Sequence, residues 1–149
     1  MSYQKDKIGI GEIQRITIPN PGSVNPVTIT VPSNQIWWLQ SVFFNFISSP
    51  VLGDREVFVR MLDSGGGSIV DIGSGYVQAD NETHGYGYVR GGAFATTIAN
   101  PAFKGFINNG LGSQYLLPSE SVEIDASNFQ LVDEFQDIQI AVNVYNIDA

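Results

Sequence analysis

The side chains able to carry acid–base or nucleophilic chemistry are few in this sequence. His84 is the single histidine and cysteine is absent, so a Ser-His-Asp triad would depend on His84 and thiol catalysis is excluded. His84 lies in the polar run 81–85, and no Gly-x-Ser-x-Gly motif occurs in the chain. We therefore expect His84 on a solvent-exposed loop, where its replacement by Ala would affect neither folding nor assembly.

Two pairs of neighbouring carboxylates have the residue types that glycoside hydrolysis requires, Glu123 with Asp125 and Asp133 with Glu134. Glu123 and Asp125 alternate with apolar residues over 122–126, a pattern typical of the outer face of a strand. This spacing therefore favours a solvated strand face over a catalytic pair.

Two loop segments, Asp63-Ser64-Gly65 and Asp80-Asn81-Glu82, carry oxygen ligands suited to Ca²⁺, but neither has the spacing of an EF-hand loop. The pairs Gly9-x-Gly11 and Gly73-x-Gly75 do not continue into a dinucleotide-binding pattern. We therefore expect no metal and no cofactor, and we expect that the protein is not an enzyme.

Charge is sparse along the 149 residues: 15% of them are charged, 43% are hydrophobic, and the formal net charge is −8. Residues 105–149 contain seven acidic residues and no basic one. Nucleic-acid binding is disfavoured, because phosphate contacts require clustered Lys and Arg. No apolar stretch reaches the length of about 18 residues that a membrane span needs. The N-terminal residues also lack the apolar core of a signal peptide, so we expect folding in a cytoplasm and no membrane partner.

Apolar and polar residues alternate with period two through most of the chain, which is typical of strands with one buried face. The clearest run is 138–147, and no window shows a helical stripe. The pattern predicts an all-β fold, a single-domain antiparallel β-sandwich of jelly-roll type with eight or nine strands. The domain is expected to span 8–149, after a flexible N-terminal arm at 1–7. The predicted strands are 8–18, 27–31, 36–47, 55–62, 68–77, 85–90, 102–106, 122–126 and 138–147.

The segment 36–47 departs from this alternation, because nine of its twelve residues are apolar. Strict alternation would place Trp37 and Phe43 on the face opposite to Trp38 and Phe44. Both faces would then need cover, since burying a large apolar side chain is worth about 1.5–3 kcal/mol. We expect a second copy of the chain as the cover, in a trimer or else a dimer; the N-terminal arm or the loop 91–114 is the alternative. The candidate interface residues are Trp37, Phe43 and Tyr3.

A series of short stretches carries a resemblance to known proteins: Trp38-Leu39-Gln40-Ser41-Val42, Gly53-Asp54-Arg55-Glu56-Val57-Phe58-Val59-Arg60 with Asp63, Gln78-Ala79, and Tyr115-Leu116-Leu117-Pro118. With the alternating C-terminal strand, they resemble a family of small virion proteins of tailed bacteriophages over residues 27–147. Ser119 departs from the Gly or Ala that more usually follows the proline. The resemblance implies a jelly-roll subunit attached to a capsid, neck or tail, and it implies no catalytic residue.

Three functions are compatible with these features. The sequence favours a non-enzymatic structural protein of the virion, a capsid decoration or cement subunit that binds the major capsid protein on the outer surface of the head. The alternative is a carbohydrate-binding or adaptor module of a tail fibre, head fibre or neck, with exposed aromatic rings such as that of Trp37 stacking on sugars. A third is a sandwich-fold enzyme or Ca²⁺-binding module that acts through the acidic C-terminal third.

Overall fold

The computed structural model describes residues 11–90, 96–100, 103–108, 111 and 115–147, with backbone alone for 96–100 and 103–108. The predicted N-terminal arm, with Tyr3, lies outside the described residues. Within them the chain is all-β and contains no helix, so the predicted fold class is confirmed.

The strands in the described part of the chain are β1 (Glu12–Ile18), β2 (Val27–Thr30), β3 (Gln35–Ile47), β4 (Val57–Leu62), β5 (Ser68–Gly73), β6 (Thr83–Val89), β7 (Thr96–Asn100), β8 (Phe103–Asn108), β9 (Tyr115–Leu116), β10 (Ser121–Ala126) and β11 (Glu134–Asn146). Most of them match the predicted runs. β7 and β9 had no predicted counterpart, and β11 begins four residues before the predicted strand.

The strands form two sheets that pack face to face as a sandwich. One sheet has the order β1-β11-β3-β6-β8-β7, with β9 paired to β3, and the other has the order β2-β10-β4-β5. Four antiparallel pairs are nested in the sequence: β1 with β11, β2 with β10, β3 with β6, and β4 with β5. This nesting, with four of the eight nested strands in each sheet, is the winding of a jelly roll. Strands β7, β8 and β9 lie in the connection from β6 to β10 and extend the first sheet, β8 pairing with β6 in parallel.

The core lies between the two sheets and follows the predicted alternation on the strands near the C-terminus. The alternate residues Ile138, Ile140, Val142 and Val144 of β11 are all buried. Across the core, the inward positions of β4 and β10 are also buried. The two sheets therefore pack through their apolar faces, as expected of a sandwich.

The aromatic residues of β3 are placed differently from the prediction, because the strand contains a β-bulge. Ser41 pairs with Ala141 but Leu39 pairs with Val142, so Gln40 is an extra residue and the side-chain phase reverses there. As a result Trp37 is only 4% exposed and belongs to the core, whereas Phe43 is 40% exposed on the outer face. The prediction that these two side chains share an outer face is wrong.

A second bulge explains why the start of β11 was not predicted. Gln136 pairs with Asn45 and Gln139 with Phe43, so β11 carries an extra residue here. Asp137 takes a positive φ of 53° and its N–H donates to the carbonyl of Pro19, outside the ladder. Because the bulge reverses the side-chain phase, residues 134–137 do not continue the alternation of residues 138–147, and the sequence pattern does not identify them as part of the strand.

Candidate interaction surfaces

Four connections meet at one end of the jelly roll. Residue Ile47 at the end of β3 pairs with Thr83, the first residue of β6, and with Glu134, the first residue of β11. In the other sheet Val57, which begins β4, pairs with Ala126, which ends β10. The connections 19–26, 48–56, 74–82 and 127–133 therefore lie together, and we call them the four-loop end.

Large aliphatic side chains are concentrated at the four-loop end. Six of the eleven large hydrophobic side chains that are exposed in the described residues lie there: Val24, Val51, Leu52, Val77, Leu131 and Val132. Leu52 and Leu131 are 82% and 89% exposed. Single exposed hydrophobic residues are ordinary, but a group of them on adjoining loops is a candidate interaction site.

A shallow cleft adjoins Leu131 at this end. It is lined by Ser23 and Asn25 from the first connection and by Phe129, Gln130 and Leu131 from the last, and its volume is about 410 Å³. A cleft of this kind can receive a side chain from a partner, beside the apolar residues that surround it.

A buried ion pair holds two of the four loops together. The Arg55 guanidinium donates from Nε and Nη2 to the two carboxylate oxygens of Asp133, at 3.0 Å each, and neither side chain has exposed surface. Asp133 also accepts the backbone N–H groups of Ser49 and Gln130. Burial alone would raise the pKa of Asp133, but these donors outweigh it and lower the pKa below its usual value.

A buried glutamine connects the third loop to the same framework. The Gln78 side chain donates to the carbonyls of Phe46 and Glu82, and it accepts the hydroxyl of Tyr86 at 2.7 Å. Its backbone exchanges two hydrogen bonds with Arg55. Gln78 therefore fixes the loop 74–82 against the loop 48–56.

Further hydrogen bonds complete the bracing of the loops. The amide of Asn25 donates to the carbonyl of Ala126 and accepts the N–H of the same residue. The Asn128 amide donates to the carbonyl of Asp54, and Ser127 and Glu56 bond through their backbones. Because all four loops are tied to a neighbour, the apolar side chains at their tips are presented on a rigid base.

The four loops are strongly acidic. Their sequences contain five carboxylates, those of Asp54, Glu56, Asp80, Glu82 and Asp133, against the single base Arg55, a formal charge of −4. Because Arg55 and Asp133 neutralise each other inside the fold, the formal charge of −4 belongs to the other four carboxylates, and one oxygen of the Glu82 carboxylate lies against His84. Half of the formal net charge of −8 therefore lies at this end.

A second surface lies on the outer face of the larger sheet. Trp38 stacks on Tyr115 with 5.3 Å between ring centroids, and the Arg90 guanidinium lies 3.6 Å from the centroid of Trp38. Tyr115 is 49% exposed. Farther along β3, Phe43 lies across Gly87 of β6, where an added Cβ would come within 2.5 Å of the Phe43 ring.

His84 is not on an exposed loop, and that prediction is wrong. It lies in β6 and is 3% exposed, with Nε2 at 2.8 Å from a carboxylate oxygen of Glu82 and its ring 5.2 Å from that of Tyr76. Burial raises the pKa of Tyr76, and the Glu82 charge adds to the shift. The glycines and aromatic residues around His84 gave no periodic signal by which the sequence could place it inside.

The carboxylates of β10 lie on the outer face of the smaller sheet, as predicted. Glu123 and Asp125 both contact Arg60 of β4, which also bonds Asp71 of β5 at 3.0 Å. Burial lowers the pKa of Arg60, but the bonds to Asp71 and Asp125 outweigh it and raise the pKa. These carboxylates therefore serve as partners for one arginine. Asp133, which the sequence places beside Glu134, lies in the loop 127–133 and is buried against Arg55.

In the described ranges no group of three or more His, Cys, Asp or Glu side chains is arranged to hold a metal ion. No helix with the length and apolarity of a membrane span was found among the same residues. Comparisons with known protein families, with curated proteins and with solved structures gave no match to this chain.

Proposed function

We propose that this chain is a non-enzymatic structural protein of a tailed bacteriophage virion, a decoration or cement subunit that binds the major capsid protein on the outer surface of the head. Jelly rolls occur in capsid proteins and also in lectins and cupins, so the fold narrows the function without deciding it. The proposal therefore depends on the surfaces of the fold.

The observation that carries the proposal is the four-loop end. Exposed aliphatic side chains on four neighbouring loops are costly for a protein that stays free in solution, since they favour aggregation. Here the loops beneath them are fixed by buried pairs such as Arg55–Asp133. A rigid apolar end suits a subunit whose role is permanent attachment, because little side-chain freedom is lost on binding.

Two of the stretches that resemble phage virion proteins contribute to this framework. Arg55 lies in the stretch 53–60 and Gln78 in the stretch Gln78-Ala79, and both are fully buried where they tie the loops together. Part of the resemblance therefore falls on residues that shape the four-loop end. This agreement supports an attachment role of the same kind.

The alternative, a carbohydrate-binding or adaptor module of a fibre or neck, has less support. Sugar-binding platforms present aromatic rings flat and side by side to solvent, but Trp38 and Tyr115 stack on each other and Arg90 lies over Trp38. Trp37, the aromatic residue named for this role, is buried in the core.

The test is reattachment to heads that lack the protein. The gene would be deleted from the phage that encodes it, and purified protein would be added to the depleted heads. We expect regular copies on the outside of the head in an electron-microscopy map, and no recovery with the Leu52→Ser/Leu131→Ser variant. Copies of the wild-type protein confined to the neck or tail, or absence from the virion, would contradict the proposal.

A further inference from the structure

We infer that the four-loop end docks on a protein surface with an apolar centre and a basic rim. This inference rests on the proposed attachment role and specifies the chemistry of the partner. The apolar centre and the charged rim are formed by different side chains, so each can be changed without the other.

The apolar centre is formed by Leu52, Leu131 and the neighbouring valines, beside the cleft at Phe129. In stable interfaces a small cluster of buried apolar residues supplies most of the affinity, and polar residues surround it. Leu52 and Leu131 are the most exposed of the large hydrophobic side chains in the described residues, so covering them removes the most apolar surface from water. The partner must therefore offer apolar side chains or a groove at its centre.

The charge of the four-loop end determines which charge the rim of the partner surface must carry. The loops that carry the apolar residues also carry the carboxylates of Asp54, Glu56, Asp80 and Glu82, and they provide no basic side chain other than the buried Arg55. Complementary charge speeds association and fixes orientation, whereas facing like charges cost several kcal/mol. Lysine or arginine side chains around the apolar centre of the partner meet this requirement.

The negative charge of the four-loop end also disfavours the other partners that an exposed apolar surface could bind. Nucleic acid and an anionic lipid surface are both repelled by a formal charge of −4. A second copy of the chain, docked end to end, would bring the same four carboxylates against one another. A basic protein surface is the occupant that satisfies both the apolar centre and the rim.

A pair of designed peptides tests the charge and the apolar centre together. The probe is an amphipathic helical peptide with one leucine face and one lysine face, and its control has glutamate in place of lysine. We expect the Leu/Lys peptide to shift backbone amide signals of the isotope-labelled protein at the four-loop end, and the Leu/Glu peptide to shift none. Raising the salt from about 0.01 to 0.1 M shortens the Debye length from about 30 to about 10 Å, so binding should weaken several-fold.

Two variants and their matched controls locate the binding. Leu52→Ser/Leu131→Ser should abolish peptide binding, whereas Ile13→Thr/Ile69→Thr, which also removes two exposed aliphatic side chains, should leave it unchanged. Asp54→Asn/Asp80→Asn should weaken it several-fold, whereas Glu12→Gln/Asp71→Asn, with the same change in net charge, should not. All four variants change exposed or partly exposed side chains, and thermal unfolding shows whether each is folded.

Several results would overturn the inference: equal binding of the two peptides, signal shifts spread over the sheets, binding to vesicles of anionic lipid, or dimerisation through the four-loop end. Failure here is distinguishable from failure of the proposed function. If depleted heads take up the protein but the Leu/Lys peptide does not bind the four-loop end, the virion role stands and this inference is wrong. If the peptide binds there and heads never take up the protein, the docking chemistry stands and the virion role is wrong.

Discussion

The carboxylate of Asp133 and the guanidinium of Arg55 face each other in a bidentate pair, with two hydrogen bonds of 3.0 Å and no solvent exposure of either side chain. The two residues belong to different loops of the four-loop end and are 78 positions apart in the sequence. A buried ion pair of this kind adds little net stability over an apolar pair, but removal of one partner leaves the other charge buried and alone.

Asp133→Asn should therefore destabilise the protein by about 3–5 kcal/mol, because the Arg55 charge would remain buried without a counter-charge. The free energy of unfolding from urea titration measures the effect. Asp71→Asn is the matched control: Asp71 also bonds an arginine, Arg60, but at a half-exposed site, where loss of the pair should cost at most about 1 kcal/mol. Equal effects of the two substitutions would contradict the bracing role of Arg55–Asp133.

The same pair should give stability a dependence on acid pH. The pKa of Asp133 is lowered in the folded protein, so the unfolded chain takes up its proton first as the pH falls. The contribution of Asp133 is thus fully present above the unfolded-state pKa, about 3.9. It is lost as the pH falls from there through the lower folded-state pKa. The difference in unfolding free energy between wild type and Asp133→Asn should shrink over that range, and a constant difference would count against it.

The sequence predicted the parts of the fold in which strands are regular. The alternation of β10 matches its burial, and residues 138–144 bury every second side chain, because neither run contains an extra residue of its own. Period-two patterning indicates the buried face of a strand only where that strand contains no bulge. The extra residue Gln40 in β3 reverses the phase, and nothing local in the sequence marks the reversal. Trp37 and Phe43 were therefore assigned to the same face incorrectly.

The four-loop end could not be predicted as a site for a different reason. Its braces join residues far apart in the chain, such as Asn25 with Ala126 and Arg55 with Asp133. A charged residue next to a turn is ordinarily exposed, so Asp133 carried no signal that it is buried. Only the winding of the strands brings the four connections, and their aliphatic tips, to one end.

Val142→Asp tests the core that the sequence did predict. Val142 is fully buried in β11, and a carboxylate there has no partner, so the variant should be unfolded or destabilised by several kcal/mol. Gln139→Asp, on the exposed face of the same strand, should change the melting temperature little. Circular dichroism during heating compares the two, and an unchanged melting temperature for Val142→Asp would show that the strand faces the other way.

His84→Ala tests the corrected position of the histidine. Removing the ring should leave a cavity beside Tyr76 and deprive Glu82 of its 2.8 Å contact, with a loss of about 2 kcal/mol in unfolding free energy. Thr83→Ala, next in sequence but exposed, should cost about 0.5 kcal/mol or less. If His84→Ala leaves the unfolding free energy unchanged, His84 is exposed, as its polar neighbours in the sequence indicated.

Substitutions in β3 separate folding from self-association. Trp37→Ala should cost about 3–5 kcal/mol of stability, because Trp37 is 4% exposed in the core. Phe43→Ser should cost much less, since Phe43 is 40% exposed on the outer face, where its ring lies against Gly87. If the outer face of the larger sheet forms the expected trimer or dimer, Phe43→Ser should lower the molar mass measured by light scattering while the protein stays folded. The wild-type protein should be measured at tens of micromolar, roughly the range in which a weak interface still holds. If it is monomeric there, Phe43 has no role in self-association.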